Sequence, residues 1–104
     1  MTDRLQKLMT LHEVDPQDAD APYMIAQEHA KGGAHEASLE WYDRCLALDA
    51  SYHYAYFHKA RSLEALERLD EARDMLTAGV TRATEARDAK ALGELQAYLD
   101  QLSS

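Results

Sequence analysis

Cysteine, proline and glycine are all scarce in this chain: one, two and four residues respectively among 104. The lone Cys45 excludes an intramolecular disulfide framework. With so few helix breakers, long regular elements can run between widely spaced interruptions. No run of about 18 apolar residues occurs, so nothing reads as a bilayer-spanning helix. The opening Met1-Thr2-Asp3-Arg4-Leu5 is too polar for a secretory leader, and the expected location is the cytoplasm. Basic charge is also short: 11 Lys and Arg face 19 Asp and Glu, a net charge of −8. Nucleic acid and anionic membrane surfaces need clustered cations, so both are poor partners for this composition. The acidic residues are scattered rather than massed. They describe a well-solvated helical surface; a surface suited to high salt is the alternative.

What is present is mostly Ala, Leu, Glu and Arg, with apolar residues recurring at intervals of three and four. The pattern is all-α, in one domain. Punctuation divides it into six helices. The first covers Asp3 to Val14, with Thr2 as N-cap and Leu5, Leu8, Met9 and either His12 or Leu11 on its apolar face. Asp15-Pro16 stops it, because the residue before proline avoids helical angles. The second covers Asp20 to Lys31, with Pro22 in the first turn, where a missing N–H costs nothing, and Gly32-Gly33 ending it. The others are expected over Ala34–Leu48, Ser51 or Tyr52–Leu66, Leu69–Thr84 and Asp88–Leu102. Short connections make neighbours antiparallel.

A shift of 34 residues lays the chain on itself. Ala21 falls on Ala55, Tyr23 on Phe57, Ala26 on Ala60, Ser38 on Ala72, Tyr42 on Leu76 and Cys45 on Gly79. Small residues meet small ones and large apolar residues meet large ones. A fixed period of this length marks a solenoid of stacked helix pairs.

The chain resembles tetratricopeptide repeat (TPR) proteins. Ala26 and Ala60 stand where the family has a small residue midway along the first helix of each repeat. Ser38 and Ala72 match its small residue early in the second helix. Tyr42 then Cys45, and Leu76 then Gly79, match its large-then-small pair. Tyr56 meets its aromatic position, and Leu46-Ala47-Leu48-Asp49-Ala50 resembles its Leu-x-Leu-Asp-Pro closure, with Ala50 for proline. Pro22 stands where Trp is common and Lys59 where Leu is common; Lys59 should bury its stem and extend its ammonium to water. The resemblance implies a right-handed solenoid: a half repeat at 3–16, repeats at 19–52 and 53–86, and a capping helix at 87–102. Leu92-Gly93 resembles the start of a further repeat shifted by one residue. Leu92, Leu95, Leu99 and Leu102 give the last helix one apolar face, which packs on the fifth helix or forms a homodimer seam, with Tyr98 and Leu102 partly exposed. The expected result is a short stack capped at both ends.

Family resemblance also implies the work. First helices of TPR repeats line a concave groove, here with Asp20, Tyr23, Gln27, Ala30 and Lys31, then Tyr54, Phe57, Arg61, Glu64 and Ala65. Tyr23 and Phe57 should sit side by side with Tyr54 adjacent. Aromatics supply contact area, and Arg and Lys can fix a carboxylate or a carbonyl. The expected function is a protein–protein interaction module whose groove binds a peptide or helix through Tyr23, Gln27, Lys31, Tyr54, Phe57, Arg61 and Glu64. Tyr23 and Phe57 could instead only fill space between helices. A structural self-assembly module, a weak homodimer through the terminal helices, is the alternative function. The Lys and Asn clamp with which some TPR modules hold C-terminal carboxylates is absent, its places being taken by Tyr23/Gln27 and Phe57/Arg61.

Chemistry has little support. His12, His29, His35, His53 and His58 include no pair four apart on a helix, so no metal is expected. Cys45, at a small-residue position, reads as a buried, inert thiol. Trp41 is expected at the edge, covering the preceding helix. No isolated carboxylate pair and no phosphate-cradling loop occurs. Neither enzymatic activity nor a cofactor is expected.

Overall fold

The computed structural model describes residues 3–104; the N-cap expected at Thr2 lies outside them. Six helices follow one another: α1 (Asp3–Val14), α2 (Asp20–Lys31), α3 (His35–Leu48), α4 (His53–Ala65), α5 (Leu69–Glu85) and α6 (Ala89–Ser103). They agree with the expected boundaries to within two residues. The longest extents are 39 × 29 × 18 Å, and the short dimension holds two helix layers. One layer contains α2, α4 and α6; the other contains α3 and α5, with α1 against α2.

The turns explain where the helices stop. After α2, Gly33 takes φ 82°, which glycine adopts without steric cost. Ala34 N–H then donates to His29 O at 2.8 Å and Gly33 N–H to Ala30 O at 3.0 Å, satisfying carbonyls the helix end would otherwise orphan. The same geometry recurs after α4 with Glu67 (φ 60°) and after α5 with Arg87 (φ 55°). There Arg68 N–H reaches Leu63 O at 2.9 Å, and Asp88 N–H reaches Ala83 O at 3.0 Å. An L-residue in this region sets its Cβ against the backbone. Glu67→Gly and Arg87→Gly should therefore each raise stability by about 0.5–1 kcal/mol. Thermal melting checks this, and an unchanged or lower Tm in both variants would refute it.

The turn from α3 to α4 is different. Asp49 is extended (φ −147°, ψ 98°), its carboxylate accepts from Ser51 N–H at 2.9 Å, and Tyr56 Oη donates to Ala50 O at 2.7 Å. That bond clamps the turn where the family's proline is missing.

Small residues set how closely helices approach. Ala26, Ala60 and Cys45 are fully buried. Gly79 is tightest: a Cβ there would lie 2.9 Å from Tyr56 Cβ and 3.2 Å from Leu95 Cδ1. The main core runs through α4, α5 and α6 around Leu63, Leu76 and Leu95. Tyr42, Cys45 and Ala55 form a second cluster, and Leu5, Leu8 and Ile25 seat α1. His12, not Leu11, turns inward on α1; its ring meets Trp41 edge-on at 5.5 Å, while Leu11 is 55% exposed. Trp41 covers α2 as expected and packs on α1 as well.

Three expectations need correction. Gly93 is exposed with open space around it, and α6 buries Ala91, Leu95 and Tyr98 instead. Its buried set thus repeats the 4-then-3 spacing of Tyr56, Ala60 and Leu63, and Leu92-Gly93 does not take the close-approach role. Tyr98 is buried, not partly exposed, because its ring packs on Phe57 at 5.1 Å. Lys59 buries its stem as expected, but its ammonium, instead of standing free in water, pairs with the exposed Asp43 carboxylate across the α3–α4 interface.

Candidate functional site

α2, α4 and α6 lie side by side, and α4 touches both neighbours. Their shared face carries the residues expected to bind. Tyr23 and Phe57 are not side by side there. His58 touches both rings, at 5.8 Å from Tyr23 and 5.4 Å from Phe57, and so joins them. Tyr23 also stacks on Tyr52 at 4.8 Å and receives a hydrogen bond from Gln27 Nε2 at 3.2 Å. Burial, then the nearby Cys45 and Tyr54, pushes the Tyr23 phenol up to about 12, so it stays neutral. Burial, then the Arg61 charge, pushes the His58 imidazole below its usual value. Tyr54 is 41% exposed.

Arg61 occupies the centre of the face. It is exposed, has no ion-pair partner among the described residues, and borders two hollows. One, of about 460 Å³, lies between α4 and α6 and is lined by Phe57, Arg61, Glu64 and Tyr98, with Glu94 and Gln101 on its rim. The other, of about 440 Å³, lies between α2 and α4, and Gln27, Lys31, His58 and Arg61 border it. Glu64 is engaged, since Tyr98 Oη donates to its carboxylate.

The second hollow is cationic in a chain of net charge −8. Arg4, Lys31 and Arg61 border it against one carboxylate, Glu28. Arg4 Nε holds Glu28 at 2.6 Å and Lys31 Nζ lies 3.5 Å away. The Arg4 hydrogen bond above all keeps the Glu28 carboxyl below its ordinary value. Arg61 is thus free to meet an anion, with Lys31 close to the same rim.

Sequence reasoning did not place His58, Tyr98 or Arg4 on this face. The 34-residue period held one signal, because it carries Glu64 onto Tyr98, the pair found hydrogen bonded. Cys45 is fully buried, and burial pushes its thiol up to about 12, which leaves almost no thiolate at neutral pH. Ser38 and Ser62 were not expected to pair; their hydroxyls lie 2.8 Å apart, fully buried between α3 and α4. Ser38 donates to His35 O at 2.7 Å, so the one proton left for the pair is that of Ser62. No three His, Cys, Asp or Glu side chains converge as a metal site among the described residues. Among the described residues, no helix is long and apolar enough to cross a membrane.

Stacked antiparallel helix pairs with a shared face of first helices define a helical-repeat solenoid. The tetratricopeptide repeat family model matches residues 19–52. A tetratricopeptide repeat domain protein from Salinibacter ruber, solved in solution, is 32% identical, with 85% of this chain and 89% of that one covered and a TM-score of 0.78. The chain belongs to the tetratricopeptide repeat family. Two more distant structures share the fold. The TPR2B domain of yeast Sti1, in complex with pHsp70, is 19% identical with a TM-score of 0.88, covering 95% of this chain and 79% of that one. PcrH, in complex with the chaperone binding region of PopD, is 20% identical with a TM-score of 0.88, covering 97% and 77%. No curated protein matches the sequence.

Proposed function

We propose that this chain is a cytoplasmic protein–protein interaction module, not an enzyme, that binds a peptide or helical segment of another protein across the face of α2, α4 and α6. It is organised as a half repeat, repeats at 19–52 and 53–86, and a capping helix. The observation that carries this reading is Arg61, exposed and unpaired between an aromatic-walled hollow and a cationic one. The first hollow suits an apolar anchor beside Phe57 and Tyr98. The second suits a carboxylate beside Arg61 and Lys31. Neighbours of the same fold hold peptide or protein segments, which supports the class of partner.

Arg61→Glu tests the reading cleanly, because the side chain is exposed and its loss leaves no buried group unpaired. Selection from a displayed peptide library should yield ligands with an apolar residue near a carboxylate. Their affinity should fall about tenfold to a hundredfold in Arg61→Glu, while the melting temperature stays within a degree or so of the parent. Equal affinity for both proteins sinks the groove.

Self-association through the terminal helices is a second reading. Leu11 at 55% and Val14 at 79% exposure on α1 support it. Sedimentation equilibrium over a range of concentrations decides it; a persistent monomer removes it.

A further inference from the structure

The layer opposite the Arg61 face has a feature that the proposed groove does not use. α4 touches α2 and α6, but the Cα traces of α3 and α5 nowhere approach within 8 Å. The outer layer is therefore splayed, and α4 is left as the floor of a furrow of about 480 Å³ between α3 and α5. Its base is apolar: Leu39, Leu63 and Met75 line it, the first two buried and the third partly so.

Its walls are acidic. Glu36, Glu40 and Asp43 stand on α3, at i, i+4 and i+7, and so share one helix face. Glu71 and Asp74 stand on α5. Five carboxylates meet only two cations, Lys59 and Arg68, an excess of three negative charges. Lys59 is taken by Asp43. Arg68 is shared between Glu36, at 3.3 Å, and Glu71. Among the described residues, Glu40 and Asp74 have no cation of their own. They are 34 residues apart, and so hold the same place on successive outer helices. No three of these carboxylates converge on a point, so the furrow offers two rails of charge rather than a cage for one ion.

We infer that this furrow is a second binding face, which takes a basic peptide segment carrying an apolar anchor. Leu39, Leu63 and Met75 receive the anchor; Glu40 and Asp74 meet Lys or Arg on either side of it. Charge selects the sign of the partner, since an acidic or neutral-polar segment would leave the rails unmatched. The apolar base selects against simple polycations. This face is independent of the Arg61 groove, which lies on the other layer and favours the opposite charge.

The test uses the full chain and a short fluorescein-labelled peptide with two leucines set among arginines and lysines. Saturable binding by anisotropy is expected, weakening as salt rises. Replacing the peptide's leucines with serine, or its basic residues with glutamate, should abolish it. Glu40→Lys with Asp74→Lys should weaken binding about tenfold or more, and Glu40→Gln with Asp74→Gln by less. Glu13→Lys with Glu85→Lys changes net charge equally at exposed sites outside the furrow and should leave affinity unchanged. Amide shifts on titration should map to α3 and α5. Equal weakening in both lysine pairs, shifts confined to α2 and α6, or no binding would each overturn the inference.

Discussion

Gly79→Val is expected to destabilise the chain by about 3 kcal/mol or more, a large share of the 5–15 kcal/mol typical of a domain. The reason is local. A Cβ at this position would lie 2.9 Å from Tyr56 Cβ, the stem of a side chain and not its flexible end. Tyr56 cannot swing aside without breaking its hydrogen bond to Ala50 O, which clamps the α3–α4 turn. Leu95 Cδ1, at 3.2 Å, can yield a few tenths of an ångström. Gly79→Ala separates the opposing effects. Alanine gains about 1 kcal/mol of helix propensity but meets the same Tyr56 stem, so a net loss of about 1–2 kcal/mol is expected. Urea denaturation of both variants measures it. If the alanine variant is as stable as the parent, α5 can move away from α4 cheaply and this contact does not set the packing.

Gly79 also shows what the chain reveals before it folds. Its match to Cys45 under the 34-residue shift marks a position that must be small. It cannot say why glycine stands at one and cysteine at the other. That depends on which side chain lies across the interface, and at Gly79 it is the stem of Tyr56. The helix ends divide along similar lines. Asp15-Pro16 and Gly32-Gly33 stop helices through restrictions written into those residues, so α1 and α2 fall at their expected bounds. The turns at Glu67 and Arg87 use left-handed backbone without glycine. Nothing in the residue types announces such a turn, which is why α5 runs one residue beyond its expected end. The last helix is legible but incompletely so. Leu92, Leu95, Leu99 and Leu102 all pack on the core, as their spacing suggests, yet the most deeply buried set is Ala91, Leu95 and Tyr98. Tyr98 joins it because Phe57 and Glu64 supply partners for both its ring and its hydroxyl.

The candidate face was legible as a set of positions but not as a set of contacts. Periodicity places Tyr23, Phe57 and Arg61 on first helices. It does not show that His58 bridges the two rings, or that Glu64 is occupied by Tyr98. Those facts turn on side-chain contacts within and between helices, some of them from α6, which the repeat pattern fits poorly.

Leu95→Ala is the complementary perturbation, a cavity instead of an overlap. Leu95 is 1% exposed and packs in the cluster of Tyr56, Leu76 and Tyr98. Its truncation should cost about 2–5 kcal/mol. The spatial distribution of that loss is more informative than its size. Among the described residues α6 touches only α5 and α4, and stability in a stacked array is set mainly between neighbours. Hydrogen exchange should therefore show α6 losing protection first, α5 next, and α2 and α3 last. Loosening of α6 would also remove Tyr98 from the hollow it forms with Phe57 and release Glu64, now held by the Tyr98 hydroxyl. The cationic hollow between α2 and α4 has no wall from α6. A bound peptide should then lose the contribution of its apolar anchor while keeping that of its carboxylate. Uniform loss of protection across all helices would show instead that the stack opens as one cooperative unit, with α6 an integral part of the core and not a separable cap.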